Sequence, residues 1–137
     1  MQALLDTNIL SELARPKPNS RVVDYLSQGI QGYVSVITLH ELRHGTELVK
    51  NLKKRKRLLE WIDSIHSEYQ SSILPVTTDV AARAAIMRAS ASRKGLTLHI
   101  EDALIAATAS LAVLTLATRN TNDFEITGIK LFNPWDA

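Results

Sequence analysis

The chain has 137 residues, 45% apolar and 22% charged, with a mean hydropathy of −0.03, which is the composition of one folded domain and excludes a disordered tail, a coiled coil and a multidomain enzyme. It holds no cysteine, so disulfides, thiolate zinc sites, iron–sulfur clusters and cysteine nucleophiles are excluded and a cytoplasmic location is expected. Lys and Arg number 16 against 14 Asp and Glu, but six of the cations fall within residues 50–57, so the pI near 9.0 reflects one basic run on a mildly acidic body.

Ala3, Leu4 and Leu5 predict a short buried strand. Asp6-Thr7-Asn8 then supplies capping residues for a helix that Pro16 ends. The segment before Asp6 lacks the basic-then-apolar form of a secretory signal. Asn19 caps a second helix, in which Val22, Val23 and Leu26 keep helical spacing up to Gly29. Tyr33-Val34-Ser35-Val36 reads as the second strand, and Thr38-Leu39-His40-Glu41 has the form of a capping box. The helix it opens runs through Leu42 and Leu48 toward the basic run, and Leu58, Leu59, Ile62 and Ile65 continue a helical stripe. Ile73-Leu74-Pro75-Val76 suits a strand end, and Thr78-Asp79 caps an alanine-rich helix reaching Gly95. Glu101 and Asp102 begin another helix, residues 113–117 read as a strand, residues 120–123 as a turn, and Leu131-Phe132 as a last short strand. The longest uncharged stretch, residues 103–118, has 16 residues, short of the roughly 20 that span a membrane. Alternating strands and helices predict an α/β fold with a mainly parallel sheet.

Four acids occupy comparable places in this scheme. Asp6 follows the first strand, Glu41 lies just past the second, Asp102 opens the last long helix, and Asp123 sits in the turn after the fourth strand. At the carboxyl edge of an open parallel sheet, residues far apart in sequence converge. Converged carboxylates need a neutralising charge, and hard divalent cations such as Mg²⁺ or Mn²⁺ supply it through oxygen ligands while orienting water for phosphodiester cleavage. Each acid taken singly also suits a helix start, where a carboxylate accepts backbone N–H bonds and meets the positive end of the dipole.

The strings Leu5-Asp6-Thr7-Asn8, Thr38-Leu39-His40-Glu41-Leu42, Asp102-Ala103-Leu104-Ile105-Ala106-Ala107 and Thr118-Arg119-Asn120-Thr121-Asn122-Asp123-Phe124, with Asn133-Pro134-Trp135 after them, together resemble PIN domains. The ordered set is most similar to the VapC-type toxins of bacterial toxin–antitoxin pairs, including their FitB-like branch. The resemblance covers the chain and implies one domain over residues 1–137: a PIN-like three-layer sandwich, with a sheet of four to five mainly parallel strands between helices. It further implies a metal-dependent endoribonuclease, with Mg²⁺ (or Mn²⁺) held by Asp6, Glu41, Asp102 and Asp123 and with Thr7, Thr118 and Asn120 as supporting polar residues. A small VapB-like antitoxin and a homodimer are implied as partners. The sequence departs from the family pattern at His40, His44 and Val113 without losing a carboxylate.

Two other classes compete. His40-Glu41-Leu42-Arg43-His44 is a literal H-E-x-x-H, the zinc metalloprotease signature, for which Glu60 or Glu68 would supply a third ligand. Against it, Gly45 weakens the helix directly after the second histidine, and Asp6, Asp102 and Asp123 are left without a role. A non-catalytic PIN-like module, with the acidic pocket holding a partner's arginine or lysine, is the third class. Lys53, Lys54, Arg55, Lys56 and Arg57 are candidate contacts to RNA phosphates, and a merely solvated helix face is the alternative.

Overall fold

The computed structural model describes residues 1–136. The first strand, β1 (Gln2–Leu5), is buried at Ala3, Leu4 and Leu5. Its pleat divides the core: Ala3 and Leu5 join the cluster of Ile9, Leu10, Val22 and Ile62, while Leu4 joins that of Ile105, Ala106, Leu116 and Phe124. A strand apolar on both sides is the form expected at the centre of a covered parallel sheet.

The other strands are β2 (Gln31–Ser35), β3 (Ile73–Leu74), β4 (Thr115–Ala117) and β5 (Leu131–Phe132). They form one five-stranded sheet in the order β3-β2-β1-β4-β5, and all four pairings are parallel. In β2, a Cβ on Gly32 would stand 2.9 Å from Leu5 Cδ1 and 3.1 Å from the Tyr69 ring, so any side chain there would force those two side chains to move.

The helices are α1 (Thr7–Leu13), α2 (Ser20–Ser27), α3 (Val36–Glu47), α4 (Leu52–Glu68), α5 (Thr78–Arg93), α6 (Ile100–Ala112) and the single turn α7 (Thr121–Phe124). Residues from α1, α2 and α4 cover one face of the sheet, and α6 covers the other. Outside α6, small residues of α5 (Ala84 and Ala91) meet Ala103 and Ala107 in a third cluster. The result is the expected three-layer sandwich. Among the described residues no helix is long and apolar enough to cross a membrane.

Several boundaries differ from the sequence reading. Val36 opens α3 rather than closing β2, because the Ser35 hydroxyl accepts a hydrogen bond from Ile37 N–H at 3.0 Å. The expected capping box at Thr38 and Glu41 does not form: Thr38 already lies in the first turn, fully buried, with an unpaired hydroxyl. The basic run opens a separate helix, capped by Asn51, whose side chain accepts from Lys54 N–H at 2.9 Å. Thr77 rather than Thr78 caps α5, and the segment expected as a turn at residues 120–123 overlaps α7. Strand β4 begins two residues later than expected, since Val113 sits in the left-handed region (φ 55°) as the C-cap of α6.

Candidate active site

Strand order reverses at β1, whose neighbours are β2 on one side and β4 on the other. Chains leaving the carboxyl ends of β1 and β4 diverge there, which opens a crevice at this point of a parallel sheet. Leu5 pairs with Ala117 as the last rung of that ladder. The next residues, Asp6 and Thr118, therefore face each other across the switch point.

Asp6 is the most constrained acid of the four. It caps α1, with Oδ1 accepting from Thr7 N–H at 2.8 Å, while Oδ2 accepts from the Thr118 hydroxyl at 2.7 Å and from the Asn8 amide at 3.3 Å. Burial pushes its carboxyl above the ordinary range, the three hydrogen bonds oppose this, and the charge of Asp123 adds to the rise. Thr118, itself fully buried, also accepts from Asn120 N–H at 3.0 Å and so ties the loop after β4 to Asp6.

Glu41 lies on α3 and Asp102 in the first turn of α6. Burial, then the charges of Asp6 and Asp102, raise Glu41 to about 7, with Thr7 opposing. Asp102 is raised by burial and by Asp6 and Asp123, with His99 opposing. The carboxyl groups thus lie within one another's field, as the sequence reading expected. Asp123, in α7, is exposed and contributes its charge from the rim. Neither ion pair found among the described residues, Arg15–Glu12 and Arg43–Glu47, involves any of these acids.

The donor set fits a hard divalent cation. Every candidate ligand is a carboxylate or hydroxyl oxygen, the negative charge is unpaired, and the Thr7 hydroxyl beside Glu41 is buried with no hydrogen-bond partner. Among the described residues no three His, Asp or Glu side chains stand close enough together to hold a metal ion by themselves. Mg²⁺ does not require such a group, since it keeps several waters and takes one or two protein carboxylates. A zincin does require three protein ligands. His40 and His44 instead stack in parallel on the exposed side of α3, ring centroids 6.0 Å apart, with no third ligand from Glu60 or Glu68. The H-E-x-x-H string thus lacks, among the described residues, the third ligand that a zincin site needs.

Asn8 was not singled out by the sequence reading. Its amide donates to Asp6 Oδ2 and to Thr118 Oγ1, each at 3.3 Å, and its oxygen accepts from Arg119 N–H at 3.1 Å. It pins the ends of β1 and β4 together. The only sequence signal was its place in Leu5-Asp6-Thr7-Asn8, where a capping role explained it equally well.

A groove of about 690 Å³ opens beside Glu41 and Thr7 and is lined by Arg15, Lys54, Arg57 and Trp61. Of the five cations expected to meet phosphate, Lys54 and Arg57 reach this groove; Lys53 and Lys56 are exposed outside it, and Arg55 Nε donates to Val49 O at 2.9 Å. A larger cavity of about 730 Å³ adjoins Met1, Thr115 and Lys130, where the strands begin, and none of the four acids lines it.

Comparison with known proteins agrees with this geometry. The PIN domain profile matches residues 3–130. The chain belongs to the PIN domain family. Within the family it is 44% identical to Toxin FitB of Neisseria gonorrhoeae, over 96% of this chain and 97% of that one, and 32% identical to VapC ribonuclease Y4jK of Sinorhizobium fredii, over 97% of each. Its fold matches the crystal structure of FitAcB from N. gonorrhoeae with a TM-score of 0.92 at 43% identity and full coverage of both chains. It also matches a toxin–antitoxin complex from Klebsiella pneumoniae with a TM-score of 0.70 at 29% identity, over 96% of this chain and 97% of that one.

Proposed function

We propose that the chain is an endoribonuclease dependent on a divalent metal, Mg²⁺ with Mn²⁺ as a substitute, and the toxin of a VapBC-like pair working in the cytoplasm as one domain over residues 1–137. The observation that carries this reading is the placing of Asp6, Glu41 and Asp102 within one another's field at the switch point without a paired cation, where burial first and the neighbouring charges second raise Glu41 to about 7. Such crowding is unfavourable for folding alone and is relieved by a bound cation. The relatives' descriptions as a toxin and a ribonuclease agree with it.

Of Asp6, Glu41, Asp102 and Asp123, one or two would bind the metal directly and the others through its waters. When bound, it supplies an acidified water and positive charge at the phosphodiester. Asp6 is the fixed ligand, because Thr118, Thr7 and Asn8 hold both of its oxygens. Thr118 is a positioning residue acting through Asp6, Asn120 is tied to it, and the unpaired Thr7 hydroxyl is free to bond a ligand or water. Lys54 and Arg57 would meet the phosphates of the RNA on the Glu41 side. A VapB-like antitoxin is the expected partner, in keeping with the complex from K. pneumoniae, and a homodimer is the expected assembly.

The test is cleavage of a mixed structured RNA by purified, antitoxin-free protein. Cutting in Mg²⁺ or Mn²⁺ that EDTA stops and excess metal restores is the expected result. RNA left intact with both metals would contradict the reading.

A further inference from the structure

Asn133-Pro134-Trp135 follows the last strand and contains none of the four acids, yet it grips the loop after β4 at one residue. The Asn133 amide donates to Arg119 O at 3.4 Å, and the Arg119 guanidinium lies over the Trp135 ring, 5.1 Å from its centroid. Trp135 is fixed in turn. Its N–H donates to Asn133 Oδ1 at 2.9 Å, its carbonyl accepts from Arg21 Nη1 at 2.9 Å, and its ring packs against the core cluster of Ile9, Leu10 and Val22. On the other side Arg119 N–H donates to Asn8 Oδ1 at 3.1 Å, and both Asn8 and Thr118 donate to Asp6 Oδ2. Arg119 is therefore held through backbone and side chain directly beside the most constrained acid of the site.

Its charge is spare. Arg119 is exposed, and neither ion pair of the described residues includes it. Glu12, an acid that feels its charge, is already taken by Asn19 N–H at 2.8 Å and by Arg15 Nη1 at 3.2 Å. A guanidinium laid on an indole keeps its edge open, because the ring covers only one of its faces. That edge is a planar fork of N–H donors, which matches two oxygens of a phosphate. An exposed cation–π contact adds little to a fold, whereas a side chain ordered before its ligand arrives spares the ligand the cost of ordering it.

We propose that Arg119, laid on Trp135, is a preformed seat for one backbone phosphate of the RNA on the β4 side of the acids. The inference rests on the ribonuclease reading above and adds a second point at which the substrate is held. Arg119 does not line the groove that Lys54 and Arg57 share with Glu41, so the phosphate it takes is a different one from theirs. Its attraction for that phosphate has the same sign whether the metal is bound or absent. Trp135 and Asn133 are positioning residues that act through Arg119.

The test is binding of a short fluorescent 2′-O-methyl RNA by the Asp102→Asn protein in Mg²⁺, with versions of the RNA in which one phosphate at a time is an uncharged methylphosphonate. In that background Arg119→Ala, which should fold because the side chain is exposed, is expected to bind about tenfold more weakly and to lower the slope of log affinity against log salt by about 1. One methylphosphonate position should weaken binding to the parent and cost nothing more in Arg119→Ala. Arg119→Lys should keep the slope and lose affinity, because an ammonium neither forks nor stacks flat. Trp135→Leu should also lose affinity at unchanged slope, and only while Arg119 is present. Affinity and slope unchanged in Arg119→Ala overturn the proposal, as does a methylphosphonate scan identical in Arg119→Ala and its parent. A parent that binds no RNA overturns it together with the ribonuclease reading. RNA that is bound through Arg119 but never cut by the wild type contradicts that reading alone, so the two failures are distinguishable.

Discussion

Thr118 carries more of the site than its size suggests. Its hydroxyl donates to Asp6 and accepts from Asn120 N–H, so Thr118→Val would leave a buried carboxylate oxygen short of its strongest partner. A loss of about 1–3 kcal/mol in stability is expected, read by urea unfolding, and Thr118→Ser should recover most of it. Glu41 gives a pH signature. Between its ordinary value of 4.5 and its folded value of about 7, the folded state binds a proton that the unfolded chain has released, so the metal-free protein loses stability as pH rises through that window. Glu41→Gln removes its own share of this slope and should stabilise the metal-free protein at pH 8 by on the order of 1 kcal/mol, a figure reduced for the half of the group that faces water. Thermal melts of both proteins at pH 5 and pH 8 check it. The acids themselves were legible in the sequence because each stands beside a predicted element end. Asn8 was not, since its bonds to Thr118 and Arg119 span about 110 residues of chain and leave no local pattern.

At the scale of elements, the misplaced start of α3 has a simple cause. Ser35 and Thr38 are both good caps, and sequence spacing cannot tell which hydroxyl meets a backbone N–H; the structure uses Ser35 and buries Thr38 unpaired. The end of α6 is the converse case. Val113 adopts φ 55° and ψ 50° with 88% of its surface exposed, a conformation that favours glycine and disfavours a β-branched residue. Val113→Gly loses little packing and should stabilise the protein by about 1 kcal/mol, raising the melting temperature by roughly 2–4 °C. On α4, only the inner cations face the groove. Lys54→Ala/Arg57→Ala should therefore reduce the slope of log affinity for RNA against log salt by about 1–2, whereas Lys53→Ala/Lys56→Ala should leave it unchanged; equal effects of the two pairs would assign the run to general attraction.

At the scale of the whole molecule, the sequence shows that strands and helices alternate but is silent on which strands touch. Periodicity marks β1 and β4 as buried; it carries nothing about their being neighbours, and the order β3-β2-β1-β4-β5 is what sets Asp6 against Thr118 and within the field of Glu41 and Asp102. The net charge of +2 is equally uninformative until the fold sets Lys54 and Arg57 beside Glu41. The fold leaves Asp6, Glu41 and Asp102 opposing one another with no ion pair to any of them among the described residues. The histidine pair of α3, however suggestive in sequence, stands on the exposed side of its helix.

The most direct measurement is the single-turnover rate of RNA cleavage in saturating Mg²⁺ for the wild type, for Asp6→Asn, Glu41→Gln and Asp102→Asn, and for His40→Ala/His44→Ala. The account predicts that each carboxylate variant folds and loses at least about a hundredfold in rate, while the histidine variant cuts like the wild type. Full activity in Asp6→Asn, or loss of activity only in the histidine variant, would contradict it.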